Sequence, residues 1–182
     1  MKIPTVCSAA ILLSSTLVLS CSRPVGSLPE LSRPGMALGE IPVERCLFYC
    51  EAENFKEKSG GDIDLKGGAS NGKCLGARWG EQTSDFAAYG ITMEETTESV
   101  LLVIRAAFEG SLPQSYEILI DGRTVYGATL NPTGGYGYVE KEWQCFSAPL
   151  GRIDKGPHTL TIRPFKNGEI INIDCLALGI AG

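Results

Sequence analysis

Histidine is almost missing: His158 is the single one in 182 residues. It stands in KGPHTL, a Gly-Pro turn entering a strand, where a surface role is expected. A Ser-His-Asp triad would have to use it, and no nucleophile-elbow pattern precedes a helix. No Cys-x-x-Cys pair occurs, which with one histidine removes the usual Cys/His zinc sites. Positive charge is scarce and scattered, 16 Lys and Arg against 21 Asp and Glu, for a net charge of -5. That excludes nucleic acid and an anionic membrane surface as electrostatic partners. Nowhere does a sustained helical period run, and no glycine-rich loop opens a helix, so a nucleotide phosphate lacks its usual cradle. The N-terminal apolar run, residues 9–20, is too short to cross a bilayer as a helix.

That run is instead what a signal peptide needs, so residues 1–20 are expected to act as an export signal. It ends at VLSC, Val18 to Cys21, which resembles the lipobox of bacterial lipoproteins, where the cysteine carries the lipid. The expectation is an exported, envelope-anchored lipoprotein attached through Cys21, with plain secretion as the alternative. Residues 21–44 carry four prolines and three glycines and no apolar period, the composition of a tether. The body, 45–182, retains Cys46, Cys50, Cys74, Cys145 and Cys175, an odd set from which at most two disulfides form. Cys50 with Cys175 is the first pairing to consider; the alternative is that most are buried as small hydrophobes.

From residue 45 the chain reads as strands divided by turns. SVLLVIRAAF (99–108) is apolar on both sides, as in a central strand covered twice. SYEILIDGRTVYGATL alternates and breaks at Asp121-Gly122, a hairpin signal. KCLGAR, DFAAYGITM, HTLTIRP and EIINIDCLALGI add further strands, and MEETTES fits a loop or single turn. Eight or nine short strands without intervening helices indicate an all-β fold, a β-sandwich jelly roll of two antiparallel sheets.

CEAENF, residues 50–55, sets Glu51 and Glu53 on the same side of an extended chain, where like charges repel. Asp174 lies in the last strand, flanked by Ile173 and Cys175 that can face a core. If the first and last strands pair, the three carboxylates converge on the outer side and form a hard-oxygen cage suited to calcium. Cys50 and Cys175 would then share the inner side. A solvated acidic face is the plainer alternative.

EAENF, ASNGKCLG (69–76), ILIDGRTV (118–125), PTGGYGY (132–138), PHTLTI and NIDCLAL occur in an order that resembles carbohydrate-binding modules of families 6, 35 and 36. The likeness spans about residues 46–180. It implies a structural Ca2+ ion held by Glu51, Glu53 and Asp174, with a carbonyl in the Gly-Lys segment, at Lys73 and near Asn71. It also implies a loop-borne sugar site at Trp79, Tyr136 and Asn172. Sugar rings present C–H faces that stack on aromatic rings, and amides serve their hydroxyls.

The expected function is therefore non-catalytic binding of an oligo- or polysaccharide, beside surface glycan-degrading enzymes, with membrane contact only through a lipid anchor. Two alternatives stay open: a structural or protein-binding envelope lipoprotein on the same fold, and a small glycan-active enzyme with two carboxylates beside the aromatics.

Overall fold

A computed structural model describes residues 43–181. The expected export signal, Cys21 and all but the last two residues of the expected tether lie outside the described residues. Eleven strands follow one another: β1 (Val43–Glu51), β2 (Glu57–Ser59), β3 (Asp62–Leu65), β4 (Lys73–Gly76), β5 (Phe86–Met93), β6 (Thr97–Ala107), β7 (Gln114–Ile120), β8 (Arg123–Leu130), β9 (Gln144–Ile153), β10 (Gly156–Pro164) and β11 (Asn172–Ala181). They form two antiparallel sheets, the all-β sandwich that the alternation implies. One runs β3-β4-β11-β6-β9, with β1 also on β11; the other runs β2-β5-β10-β7-β8. The only helical piece among the described residues is a single 3-10 turn, Glu140–Glu142.

The alternation places the core. Val100, Leu102, Ile104 and Ala106 of β6 face Tyr89, Leu160, Ile162 and Ile118 of the other sheet, all buried. The opposite face of β6 is also covered: Leu101, Val103, Arg105 and Ala107 are buried too. Here the loops after β3 and β8 fold over the sheet, and Ala69, Cys74, Ala107 and Trp143 pack into a second, smaller cluster. The doubly apolar SVLLVIRAAF is thus a central strand with a covered outer face.

The β7–β8 hairpin turns where Asp121-Gly122 predicts, with φ of 51° and 77° at the two turn residues. Both values lie in the left-handed region that a type I′ turn requires. Strand β9 escapes the pattern because Pro149 and Gly151 interrupt it. It lies at the sheet edge, pairing only with β6, where a missing N–H costs no ladder bond. The short strands β2 and β3 also go unannounced, being three and four residues long.

Strands β1 and β11 are indeed neighbours, with one departure that reorders the chemistry. The ladder shifts between Ile173 and Cys175, so Asp174 and Cys175 together stand opposite Arg105 of β6. This is a β-bulge, one extra residue on one strand. It breaks the alternation: Ile173 remains in the core, while Cys175 comes opposite Glu51, and Cys50 comes opposite Leu176. The expected Cys50–Cys175 pairing is thereby corrected, because the two thiols lie on opposite faces of the sheet. None of the five cysteines of the body is joined in a disulfide. Burial pushes the Cys50 and Cys74 thiols up to about 12, so they act as small hydrophobes.

Candidate functional site

Two arrangements at the start of β11 carry the chemistry. The first is the acid cluster. Ser70 bridges it: its hydroxyl donates to Glu51 Oε2 at 2.6 Å and meets Asp174 Oδ1 at 3.0 Å, and its N–H donates to the same Oδ1 at 2.8 Å. The Tyr49 hydroxyl donates to Glu51 Oε1 at 2.7 Å, and the Asn71 amide donates to Glu53 Oε1. Lys73 N–H donates to Asn71 Oδ1 at 3.0 Å, which folds the 70–73 turn against the acids. The backbone ties the strands as well, Ala52 N–H to the Asp174 carbonyl at 2.8 Å.

So Glu51, Glu53 and Asp174 do converge, with Asn71 and Lys73 beside them. The chain itself supplies a cation to this cluster. Buried Arg105 donates to Asp174 Oδ2, to the Gly68 carbonyl at 3.3 Å and to Glu140 Oε1 at 2.8 Å. Its guanidinium also lies over the Trp143 ring, 5.2 Å from the centroid. Asp174 is thus neutralised before any metal is considered, which the sequence reading did not anticipate. The signal was present: a lone arginine in an apolar strand covered on both sides must find a carboxylate.

Whether the cluster suits a hard cation can be judged from its oxygens. Among the described residues, no group of three His, Cys, Asp or Glu side chains is arranged to hold a metal by itself. Yet Glu53 Oε2 is buried with no hydrogen-bond partner. Glu51, Glu53, Asp174 and Glu140 also outnumber Arg105. Burial pushes the Glu51 carboxyl above its ordinary range; hydrogen bonds from Ser70 and Tyr49 oppose this, while the charges of Asp174 and Glu53 add to it. A bare buried oxygen in a surplus of negative charge is what a cation would satisfy.

The second arrangement is a cleft of about 310 Å3 lined by Asp64, Lys66, Arg78, Tyr136, Ile170 and Asn172, with Ala77. That is the low end of the range for small-molecule sites, roughly 300–1,000 Å3. Tyr136 is half-buried, its ring packed on the core at the cleft wall. Asn172 is buried and donates to the Tyr136 carbonyl at 2.7 Å, so its amide positions the aromatic loop. Lys66, also buried, lies 3.1 Å from Asp64 Oδ2 and 3.9 Å from the centroid of Tyr138. Tyr138 is 63% exposed at the cleft edge, the largest exposed ring of the aromatic loop.

Trp79 does not line this cleft. It is fully buried, stacked on Tyr116 with centroids 6.0 Å apart and planes 9° apart. A ring with no exposed face cannot stack on a sugar, so the expected platform is corrected to a core anchor. What it anchors matters, because Ala77 and Arg78 immediately before it take φ of 49° and 70°, both left-handed and neither a glycine. Two such residues cost on the order of 1–3 kcal/mol each and persist only where their surroundings hold them. The holding contacts are Trp79 N–H to the Gly76 carbonyl at 3.0 Å and Ile171 N–H to the Trp79 carbonyl at 3.1 Å. Gly80 follows at φ 92°, where a Cβ would meet the Glu169 carbonyl at 2.1 Å. Asp85 accepts from Gly80 and Gln82 N–H, and buried Glu169 accepts from Ser115, Phe165 and Lys166 N–H. These two carboxylates brace the loops behind the cleft.

A larger cavity, about 550 Å3, lies where Arg45, Leu47, Met93 and Glu95 meet. Arg45 pairs with Ile180, eight residues along β11 from Asn172 and roughly 25 Å away. Its lining carries no aromatic ring, and Arg45 is ion-paired to Glu95, so it offers a sugar no stacking face.

No protein-family model matches the chain, and no curated protein matches it in sequence. Solved structures do match. A family 35 carbohydrate-binding module from Clostridium thermocellum shares 15% identity at a TM-score of 0.62, covering 73% of this chain and 98% of its own. A family 6 module from Cellvibrio mixtus lichenase 5A, solved with cellotriose, shares 15% at 0.59, covering 75% and 99%. An exo-β-1,3-galactanase from Phanerochaete chrysosporium, solved with galactose, shares 14% at 0.56, over 72% of this chain but 29% of the enzyme. At these identities the likeness is one of fold, and that fold is the one carbohydrate-binding modules of families 6 and 35 adopt.

Proposed function

We propose that this domain binds an oligo- or polysaccharide without catalysing its cleavage, and that the loop-end cleft at Tyr136 is where it does so. The observation that carries the reading is the cleft itself. A half-buried aromatic ring and paired polar side chains line it, an exposed tyrosine stands against its Lys66, and the neighbours of this sandwich include a module solved with cellotriose. Preformed apolar and polar surface of this kind suits sugar rings, because little ordering is left to be done on binding. The lining includes one carboxylate, Asp64, whereas glycoside hydrolysis ordinarily employs two. A glycan array with the domain, with Tyr136→Ala alongside, is the test. Binding lost in the variant is the expected result, and a blank array for the native domain would end the reading. Burial of Trp79 is the one observation favouring the alternative, a structural or protein-binding envelope protein on the same sandwich, for which the blank array is the expected outcome.

Calcium belongs to the proposal as a structural ion at the acid cluster. Glu51, Glu53 and Asp174 would hold it, with Lys73 and Asn71 in the adjoining turn; bound there, it would supply charge neutralisation between β1 and β11. The support is the unpartnered Glu53 oxygen and the unbalanced negative charge around it. Surface display follows from the sequence: a lipid on Cys21 and the tether of 21–44 would set the domain off a bacterial envelope, within reach of glycan-degrading enzymes. Cys21→Ala should release the protein to the medium, and retention in the membrane fraction would count against the anchor.

A further inference from the structure

Both cations that line the cleft are already matched. Lys66 stands 3.1 Å from Asp64 Oδ2. Arg78 donates through Nε to Glu81 Oε2 at 2.8 Å and through a second nitrogen to Oε1, a two-bonded fork. The cleft thus carries two ion pairs and no free cation among its lining residues. We infer that the cleft selects neutral saccharides and rejects acidic ones, its two ion pairs reading sugar hydroxyls; this rests on the carbohydrate-binding reading above.

The physics is in the pairing. A cation and its partner carboxylate at contact distance act on a third group as a dipole, so their pull on a distant anion largely cancels. An anionic sugar brought to Lys66 must approach Asp64, which lines the same cleft, and it does so in a chain of net charge -5. A hydroxyl meets no such barrier. It donates to a carboxylate and accepts from an ammonium or guanidinium at once, and bonds to charged partners are roughly twice as strong as neutral ones. The geometry is prepared in advance. The left-handed pair Ala77-Arg78, rooted on buried Trp79, turns Arg78 out at one wall. On the other, Lys66 is held between Asp64 and the Tyr138 ring. Gly68, whose N–H donates to the Gly137 carbonyl at 3.3 Å, joins that loop to the aromatic one, and a Cβ there would come within 2.5 Å of the Val139 backbone.

The test is a titration of the domain with neutral oligosaccharides (β-glucans, galactans, mannans) and with acidic ones (oligogalacturonate, sulfated galactans), at about 20 mM and about 500 mM salt. Neutral ligands should bind with affinities that change less than about twofold between the two salts, and acidic ligands should not bind. Asp64→Asn, which leaves Lys66 unmatched, should weaken the neutral ligand and raise affinity for the acidic one about tenfold at low salt only. Its melting curve reports whether the fold persists, and Glu81→Gln at the other ion pair gives an independent second reading. Tighter, salt-sensitive binding of acidic glycans by the native domain would overturn the inference while leaving carbohydrate binding intact. So would an unchanged preference in folded Asp64→Asn and Glu81→Gln. A blank for every glycan would instead remove the carbohydrate reading beneath it.

Discussion

Trp79 illustrates how one side chain acts at a distance from where its chemistry suggests. Its ring fills the core against Tyr116, yet its backbone roots the strained Ala77-Arg78 turn at the cleft. Truncating it removes a large buried ring, so Trp79→Ala should cost about 3–5 kcal/mol, read as a fall in Tm or denaturant midpoint. A variant that keeps its stability and merely loses sugar binding would show the ring to be a surface platform after all. His158 is a second residue with a definite role. Both ring nitrogens face acceptors, Nδ1 with Asp121 Oδ2 at 2.7 Å and Nε2 with the Asp154 carbonyl at 2.8 Å, so the charged ring is favoured. The Asp121 hydrogen bond raises the imidazole above its ordinary 6.5, helped by the Asp154 carbonyl, and the His158 hydrogen bond holds the Asp121 carboxyl below its ordinary 3.8. The histidine's contribution is full below about 6.5 and fades as pH rises through its raised value. The aspartate's is full above about 3.8 and fades as pH falls through its lowered one. Together they stabilise most between those limits, by an amount on the order of 0.5 kcal/mol for so exposed a pair. Asp121→Asn should bring the His158 titration, followed by NMR, back toward 6.5; an unmoved titration would dissociate the pair.

At the scale of an element, the bulge in β11 is the decisive feature. By inserting Asp174 into the ladder it keeps Ile173 in the core and turns both Asp174 and Cys175 outward, toward Arg105 and Glu51. The row Glu51, Cys175, Arg105, Cys145 then crosses four strands on one face. Cys145 and Cys175 are two strand spacings apart, roughly 9–10 Å, which is beyond the reach of a disulfide. Peptide mapping of the non-reduced protein should therefore find neither a Cys50–Cys175 nor a Cys145–Cys175 link, and finding either would contradict the register.

Over the whole molecule, Arg105 joins the two arrangements. It holds Asp174 of the acid cluster, and through Gly68 and Glu140 it holds the loops that carry Lys66 and Tyr138 to the cleft. Trp143 closes the same junction, its indole N–H donating to the Gly137 carbonyl at 3.0 Å. Because Arg105 already balances one carboxylate, the sandwich is expected to fold without metal and to gain stability on adding it. At a hundredfold excess over Kd, calcium should contribute about 2.7 kcal/mol, a rise in Tm of roughly 10 °C that chelator reverses. Identical melting curves in calcium and in chelator would remove the ion from the proposal.

Alternation of apolar residues, the Asp-Gly turn and the absence of any helical period by themselves determined the all-β sandwich, because burial on a pleated sheet has a period of two that any sequence must display. They also brought Glu51 and Glu53 to one side, while the pairing of the first strand with the last came from the structure. What only the tertiary structure decided is which side of Cys175 faces the core, which ring is exposed and which charge meets which. A bulge adds one residue without altering the local pattern. Trp79 and Tyr138 both sit in glycine-flanked loops of similar composition, and the chain segments around them, not their own neighbours in sequence, determine which one meets water. Arg105 finds Asp174 across 69 residues, a separation over which no periodicity carries information.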